Sequence, residues 1–170
     1  MKTVLAINGS ASEDSSNGKL LHAISESFAE FYAIDVYEGL QRLPLFSPQL
    51  QEAGIPEIVR ELRNKVASAE AVIISTPEYL HNIPAVLKNA LEWMTTSGEL
   101  ADKPVLPITF TPALPRGQYA MISLLQSLLA CNAKIVAELP LYRNKMMNEK
   151  GNIHLDEEDR MLLGEALSLL

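Results

Sequence analysis

Five short apolar runs rich in branched side chains, at residues 3–7, 33–37, 71–75, 105–110 and 134–139, alternate along this chain with longer stretches whose apolar residues recur at helical spacing. That alternation is the mark of βαβ units, and it predicts a parallel sheet with helices on both faces, joined by right-handed crossovers. The helical stretches carry Leu20, Leu21, Ile24 and Phe28; Ile58, Leu62 and Val66; Val86, Leu87, Ala90, Leu91 and Met94; and Met121, Leu124, Leu125 and Leu128. A last helix over about residues 156–170 opens on an acidic turn that suits the positive end of a helix dipole. Two features sit less easily in this pattern. Pro107 falls inside the fourth strand, where it cannot donate a ladder hydrogen bond, and residues 39–55 make a long connection of the kind that is often functional.

Size and charge narrow the function. A length of 170 residues fits one domain spanning residues 1–170. A formal charge of -7 repels nucleic-acid backbones and anionic lipid surfaces, so neither is an expected partner. Cys131 is the only cysteine, which rules out an internal disulfide and any multi-cysteine metal site. His22 and His154 have no acidic or cysteine partners at ligand spacing, so no metal is expected. The opening Met1-Lys2-Thr3-Val4 has no leader-like apolar segment, and no apolar stretch approaches a membrane span. The expectation is a soluble, cytoplasmic protein.

In an open parallel sheet the loops after the strands emerge side by side at the carboxyl edge, where ligands bind. The first such loop runs from Gly9 through Ser10, Ser12, Ser15 and Ser16 to Asn17, where the next helix begins. Hydroxyls, backbone amides and the helix dipole there attract an anion, although a serine-rich turn before a helix is also ordinary capping. The loop has neither the Gly-Lys-Ser/Thr of a nucleotide P-loop nor the triple glycine of a dinucleotide turn, so a monophosphate fits it better. The second loop, Thr76-Pro77-Glu78-Tyr79-Leu80-His81-Asn82-Ile83-Pro84, offers a rigid entry, an aromatic ring and a run of backbone polar groups. It reads either as punctuation between strand and helix or as a platform for a planar heterocycle.

Thr76-Pro77-Glu78-Tyr79, continued by Ile83-Pro84-Ala85-Val86-Leu87-Lys88-Asn89-Ala90-Leu91-Glu92-Trp93, resembles the signature of the NADPH-dependent FMN reductases, and Gly9-Ser10 with Ser15 and Asn17 resembles that family's phosphate loop. The resemblance implies a flavodoxin-like three-layer α/β sandwich, with a five-stranded parallel sheet in order 2-1-3-4-5. It implies FMN held without a covalent bond between strands 1 and 3, and a homodimer or homotetramer. The implied cofactor-binding residues are Ser10, Ser12, Ser15, Ser16, Asn17, Pro77, Glu78, Tyr79, Leu80, Thr111 and Arg116. Ser12 stands where the family carries a phosphate-binding arginine, and Leu80 and Asn82 replace its asparagine and serine. The third loop, Thr111-Pro112-Ala113-Leu114-Pro115-Arg116-Gly117, is bulkier than the family's glycine-rich turn.

With hydride passing from NADPH or NADH to flavin, the cofactor carries the chemistry, and no catalytic side chain is implied. The acceptor would be a small molecule: free flavin, quinone, azo compound or metal oxyanion. Two rival readings remain, an FMN-binding electron carrier without turnover and a family member that has lost flavin. Met121, Ile122, Leu124, Leu125, Leu128 and Leu129 give one helix more apolar surface than a single core stripe needs, which predicts burial of part of it, with the 85–94 helix, against a second subunit.

Overall fold

The computed structural model describes residues 1–170. Strands β1 (Lys2–Asn8), β2 (Tyr32–Tyr37), β3 (Ala71–Thr76) and β4 (Pro104–Thr111) are parallel and lie in the order β2-β1-β3-β4. Two short edge strands, β5 (Lys134–Ile135) and β6 (Leu139–Tyr142), complete the sheet, both parallel to β4. This is the flavodoxin-like order 2-1-3-4-5. The chain steps outward from β1 to β2 on one side and from β3 to β4 on the other, so the loops leaving the adjacent carboxyl ends of β1 and β3 part to opposite faces of the sheet and leave a cleft.

The central strands are apolar throughout because both their faces are covered. Successive side chains point to opposite faces. Leu5, Ile7, Val72 and Ile74 pack against α3 (Glu57–Ser68), α4 (Ala85–Met94) and α5 (Gln118–Ala130). Their neighbours Val4, Ala6, Ala71 and Ile73 pack against α1 (Ser16–Ser27) and α7 (Glu157–Ser168). Leu20, Leu21 and Ile24 of α1 are fully buried, each contributing about 1.5–3 kcal/mol of transfer free energy. Helix α7 starts with a capping box, in which the Asp156 carboxylate accepts from the Asp159 amide at 2.8 Å and the Asp159 carboxylate accepts in return at 3.3 Å.

The edge departs from the single fifth strand expected over residues 134–139. Val105 pairs with Ile135 and Ile108 with Leu139, so four steps along the edge strand span three along β4. One extra residue interrupts the ladder, as in a bulge. The Val105 carbonyl accepts from the Val136 amide at 3.0 Å, so that residue's backbone polar groups face the edge. Alternate residues aim their polar groups the same way, and Pro107 therefore directs its missing N–H at the interruption, where no bond is lost.

The long connection holds a 3-10 turn (Leu40–Arg42) and α2 (Pro48–Ala53). Its middle is clamped onto α4. The Pro44 carbonyl accepts from Trp93 Nε1 at 2.8 Å and from Asn89 Nδ2 at 3.0 Å, while Asn89 Oδ1 accepts from the Phe46 amide at 2.8 Å. Phe46 meets Trp93 edge to face, with ring centroids 5.2 Å apart. The asparagine and tryptophan of the second motif thus serve packing. No helix is long and apolar enough to cross a membrane.

Candidate functional site

Gly9 leaves β1 pressed against β3. Its amide donates to the Ser75 carbonyl at 2.8 Å, and a Cβ at this position would lie 2.8 Å from the same oxygen. Glycine is needed here for space rather than for an unusual φ. Asn8, the last residue of β1 and buried, organises the loop that follows. Its Oδ1 accepts from the Ser10 amide at 3.1 Å and the Ser15 hydroxyl at 3.2 Å, while its Nδ2 donates to Ser15 Oγ at 2.9 Å and to Glu38 Oε1 at 3.1 Å. Ser15 is the N-cap of α1, its Oγ accepting from the Gly18 amide at 3.0 Å. Asn17, 2% exposed, accepts from the Ser75 hydroxyl at 2.7 Å and donates to the Phe110 carbonyl at 3.4 Å, tying α1 to β3 and β4.

The side chains of Ser15 and Asn17 are therefore engaged within the fold. What faces the cleft is narrower than a row of serine hydroxyls. The Ser10 hydroxyl accepts from the Ser12 amide at 3.3 Å and has no acceptor within the chain for its own proton. Ser12 is exposed and Ser16 half-buried. The amides of Ser16 and Asn17, in the first turn of α1, have no carbonyl one turn back inside the helix. The Asp14 carboxylate is paired with Lys19 at 3.0 Å, which offsets its charge at the mouth of the loop.

The second loop is a tight two-residue turn. Tyr79 and Asn82 exchange backbone hydrogen bonds of 2.9 Å in both directions, and Leu80 and His81 between them have φ of 51° and 57°. Positive φ at both central positions defines a type I′ turn, which favours glycine and asparagine, so leucine is strained there. Leu80 is 99% exposed, while the His81 ring meets Tyr119 edge to face at 4.6 Å. Glu78 turns inward: its Oε2 accepts from the amides of Tyr119 and Ala120, each at 3.0 Å. Helix α5 begins at Gly117 with no side-chain cap of its own, and the Glu78 carboxylate supplies one from another loop. Asn82 adds a second link, its Oδ1 accepting from the Ser123 hydroxyl of α5 at 2.5 Å.

The third loop is held by Thr111, a buried residue whose hydroxyl donates to the Arg116 carbonyl at 2.9 Å. Gly117 closes it with a φ of 105°, and a Cβ there would lie 3.0 Å from Thr109 Oγ1. Together the three loops enclose a cleft of about 390 Å³. It is lined by Ser10, Ser12, Ser15, Ser16, Asn17, Pro77, Glu78, Tyr79 and Arg116 among the residues singled out from sequence. Leu80 and Thr111 lie outside the lining, the first turned to solvent and the second holding the loop from beneath. The cleft adds Asp14, Phe110, Pro112 and Arg143, which the sequence reading passed over. The only sequence signal for Arg143 is its place directly after an edge strand, and that strand ends three residues beyond its expected end at residue 139. No cluster of histidine, cysteine and carboxylate side chains suited to a metal is present.

The donor set suits a phosphorylated planar ligand: serine hydroxyls and free helix amides at one end, an exposed tyrosine with rigid backbone at the other, and two guanidinium groups on the lining. The comparisons with known proteins agree. The model of the NADPH-dependent FMN reductase family matches residues 2–145. The NADH:(hydroxy)cinnamate reductase subunit CrdA of Vibrio ruber is 46% identical over 103 residues, covering 60% of this chain and 50% of that protein. A 2-hydroxy-1,4-benzoquinone reductase of Burkholderia is 36% identical over 90 residues, 53% of this chain and 48% of that one. The chain thus spans about half the length of these curated relatives. The quinone reductase of Escherichia coli K12 is 29% identical over 136 residues, 78% of this chain and 72% of its own length. Among solved structures, the flavoenzyme NAD(P)H:(acceptor) oxidoreductase FerB of Paracoccus denitrificans superimposes with a TM-score of 0.84, covering 99% of this chain and 95% of that one at 23% identity, a likeness of fold. With a match over residues 2–145 and both motifs brought to one cleft, the chain belongs to the NADPH-dependent FMN reductase family.

Proposed function

We propose that this protein is an FMN-dependent oxidoreductase that takes hydride from NADH or NADPH and reduces a small acceptor such as a quinone, free flavin, azo compound or metal oxyanion. The observation that carries this reading is the single cleft shared by the serine loop and the Pro77–Tyr79 loop at the carboxyl edge of the sheet. Its phosphate end would use the Ser10, Ser12 and Ser16 hydroxyls with the first amides of α1, and Ser15 and Asn17 would shape that end from below. The backbone of Pro77, Glu78 and Tyr79 would support the ring edge. Thr111 holds the Arg116 carbonyl, and the Arg116 side chain would serve the ring end, with Leu80 at the rim.

When bound, FMN supplies the redox chemistry, accepting hydride and passing it on. The chain's own work is alignment, and its nearby titratable groups have other tasks. The Glu78 carboxylate is held by α5 amides, which leaves it poorly placed as a base. The His81 side chain is largely exposed and lies outside the cleft lining. We therefore assign no catalytic side chain.

The chain would work as one FMN-binding domain over residues 1–170, paired with further copies of itself. Ile122 and Leu129 on the outer face of α5, and Leu80 and Leu114 beside the cleft, are exposed apolar side chains that a second copy would cover. The test is anaerobic titration of FMN-reconstituted protein with NADH and with NADPH, followed at the flavin absorption band. Stoichiometric bleaching is expected. Yellow protein that neither nicotinamide bleaches would point to an electron carrier, and a colourless preparation that ignores added FMN would end the reading. Sedimentation at micromolar concentration is expected to give a dimer or tetramer, and a monomer would remove the assembly.

A further inference from the structure

A phosphate monoester near neutral pH carries close to two negative charges, yet the serine loop contributes no free cation. Its own charged side chains are Glu13 and Asp14, and the nearest lysine, Lys19, is paired with Asp14. Any cation that meets this anion comes from another part of the chain. The chain has six arginines, and four of them are engaged within the fold. Arg42 donates to the Glu38 carbonyl, Arg60 pairs with Glu57, Arg63 donates to the Trp93 carbonyl, and Arg160 donates to the Leu155 carbonyl. The guanidinium groups of the remaining two, Arg116 and Arg143, have no acceptor or carboxylate partner in the chain, and both residues line the cleft.

The two guanidinium groups approach from different sides. Arg116 belongs to the third loop, which closes onto the start of α5 beside Glu78. Arg143 follows β6, whose Leu141 and Tyr142 pair with Phe110 and Thr111 at the end of β4. That same end of β4 receives the side chain of Asn17, from the first turn of α1, on the Phe110 carbonyl. Arg143 and the amino end of α1 thus flank one strand end. The start of the short helix α6 (Arg143–Met146) is fixed there, since the Asn144 amide donates to the Pro112 carbonyl at 3.2 Å.

We propose that Arg143 is the phosphate-holding cation of this site, supplying from the far edge of the sheet the charge that the serine loop lacks where Ser12 stands. The inference rests on the FMN reading and deepens it. Arginine suits the role because its planar fork can meet two phosphate oxygens at once. It also explains a half-buried arginine left without a partner at the rim of a cleft.

The test compares FMN with riboflavin, which lacks the phosphate, by quenching of flavin fluorescence on titration into apoprotein. Wild-type protein is expected to prefer FMN strongly. Arg143→Gln should weaken FMN by about 10- to 100-fold and leave riboflavin unchanged, since hydrogen bonds to charged groups are worth that much. Arg143→Lys should recover part of the loss, and adding Ser12→Arg to Arg143→Gln should restore the preference. Arg116→Gln should leave the ratio of FMN to riboflavin affinity intact. Because the Arg143 guanidinium bonds to nothing in the chain, the urea unfolding midpoint of its variants should match wild type. A wild-type preference for FMN that survives Arg143→Gln would overturn this assignment while leaving the FMN reading in place. Wild-type protein that fails to bind FMN would overturn both.

Discussion

At the serine end of the cleft, the side chains of Asn8, Ser15, Asn17 and Ser75 are buried and hydrogen-bonded in two pairs, Asn8 with Ser15 and Asn17 with Ser75, whereas at the tyrosine end Tyr79, Leu80 and Tyr119 stand exposed around a strained turn. Both ends face one ligand-sized space, yet they depend on the fold in opposite ways. The serine end is a polar network whose members satisfy one another, so its shape is set before any ligand arrives, and losing one member leaves others orphaned in a buried place. At the tyrosine end, the only deeply engaged side chains are those of Glu78 and Asn82, which anchor the turn to α5. The exposed groups there contribute little to folding and are available for contact with ligand or with another copy of the chain.

The comparison can be broken most directly at Asn8. Asn8→Ala strands the Ser15 hydroxyl and the Ser10 amide, and should cost about 3 kcal/mol in urea unfolding, in line with the loss of several buried hydrogen bonds. A cost below about 1 kcal/mol would mean that the network adds little to stability. Glu78→Ala tests the one firm anchor of the opposite end. Loss of the α5 cap should cost about 1–2 kcal/mol, with unfolding otherwise unchanged in cooperativity.

Tyr79→Ala separates binding from folding. Removing an exposed ring should leave the unfolding midpoint near wild type, while FMN affinity falls about tenfold through loss of stacking. A large drop in stability would show that Tyr79 belongs to the core after all. The smallest effect is a gain. Leu80→Gly relieves a positive φ that leucine tolerates poorly, and should raise stability by about 1 kcal/mol by the same urea measurement. If that variant is instead less stable, the turn is not strained in the way its dihedral angles indicate.

Much of the fold was legible in the sequence. The βα alternation located four of the strands and the helices between them, because strands covered on both faces must be apolar throughout and helices covered on one face must repeat near 3.6. The edge was harder. The residues expected as one strand over 134–139 form β5 and then a bulge, with β6 running on to Tyr142 through an exposed proline. Edge pairing is short and depends on a neighbour that no local pattern reveals. Pro107 looked like an obstacle to β4, and its register against the bulge explains why it is not.

The site divides in the same way. Ser10, Ser12, Asn17, Pro77 and Tyr79 could be placed at the cleft from their positions after strands, since loop order follows strand order. The engagement of Ser15 by Asn8, of Glu78 by α5, and of the Pro44 carbonyl by Trp93 could not, because each joins residues that meet only through packing. Arg143 is the sharpest case. More than 120 residues separate it from the serine loop, and nothing near it in the chain marks it as facing that loop.

By itself, then, the order of apolar periods and turn residues determined the sheet, the covering helices and the edge at which a ligand would sit, since these follow from local geometry and from the need to bury apolar faces. Tertiary structure alone decided which polar groups at that edge are engaged and which remain free. Hydrogen bonds are short and directional, so whether a hydroxyl or a guanidinium is available depends on the atoms within about 3 Å of it, and in this cleft those atoms come from distant parts of the chain.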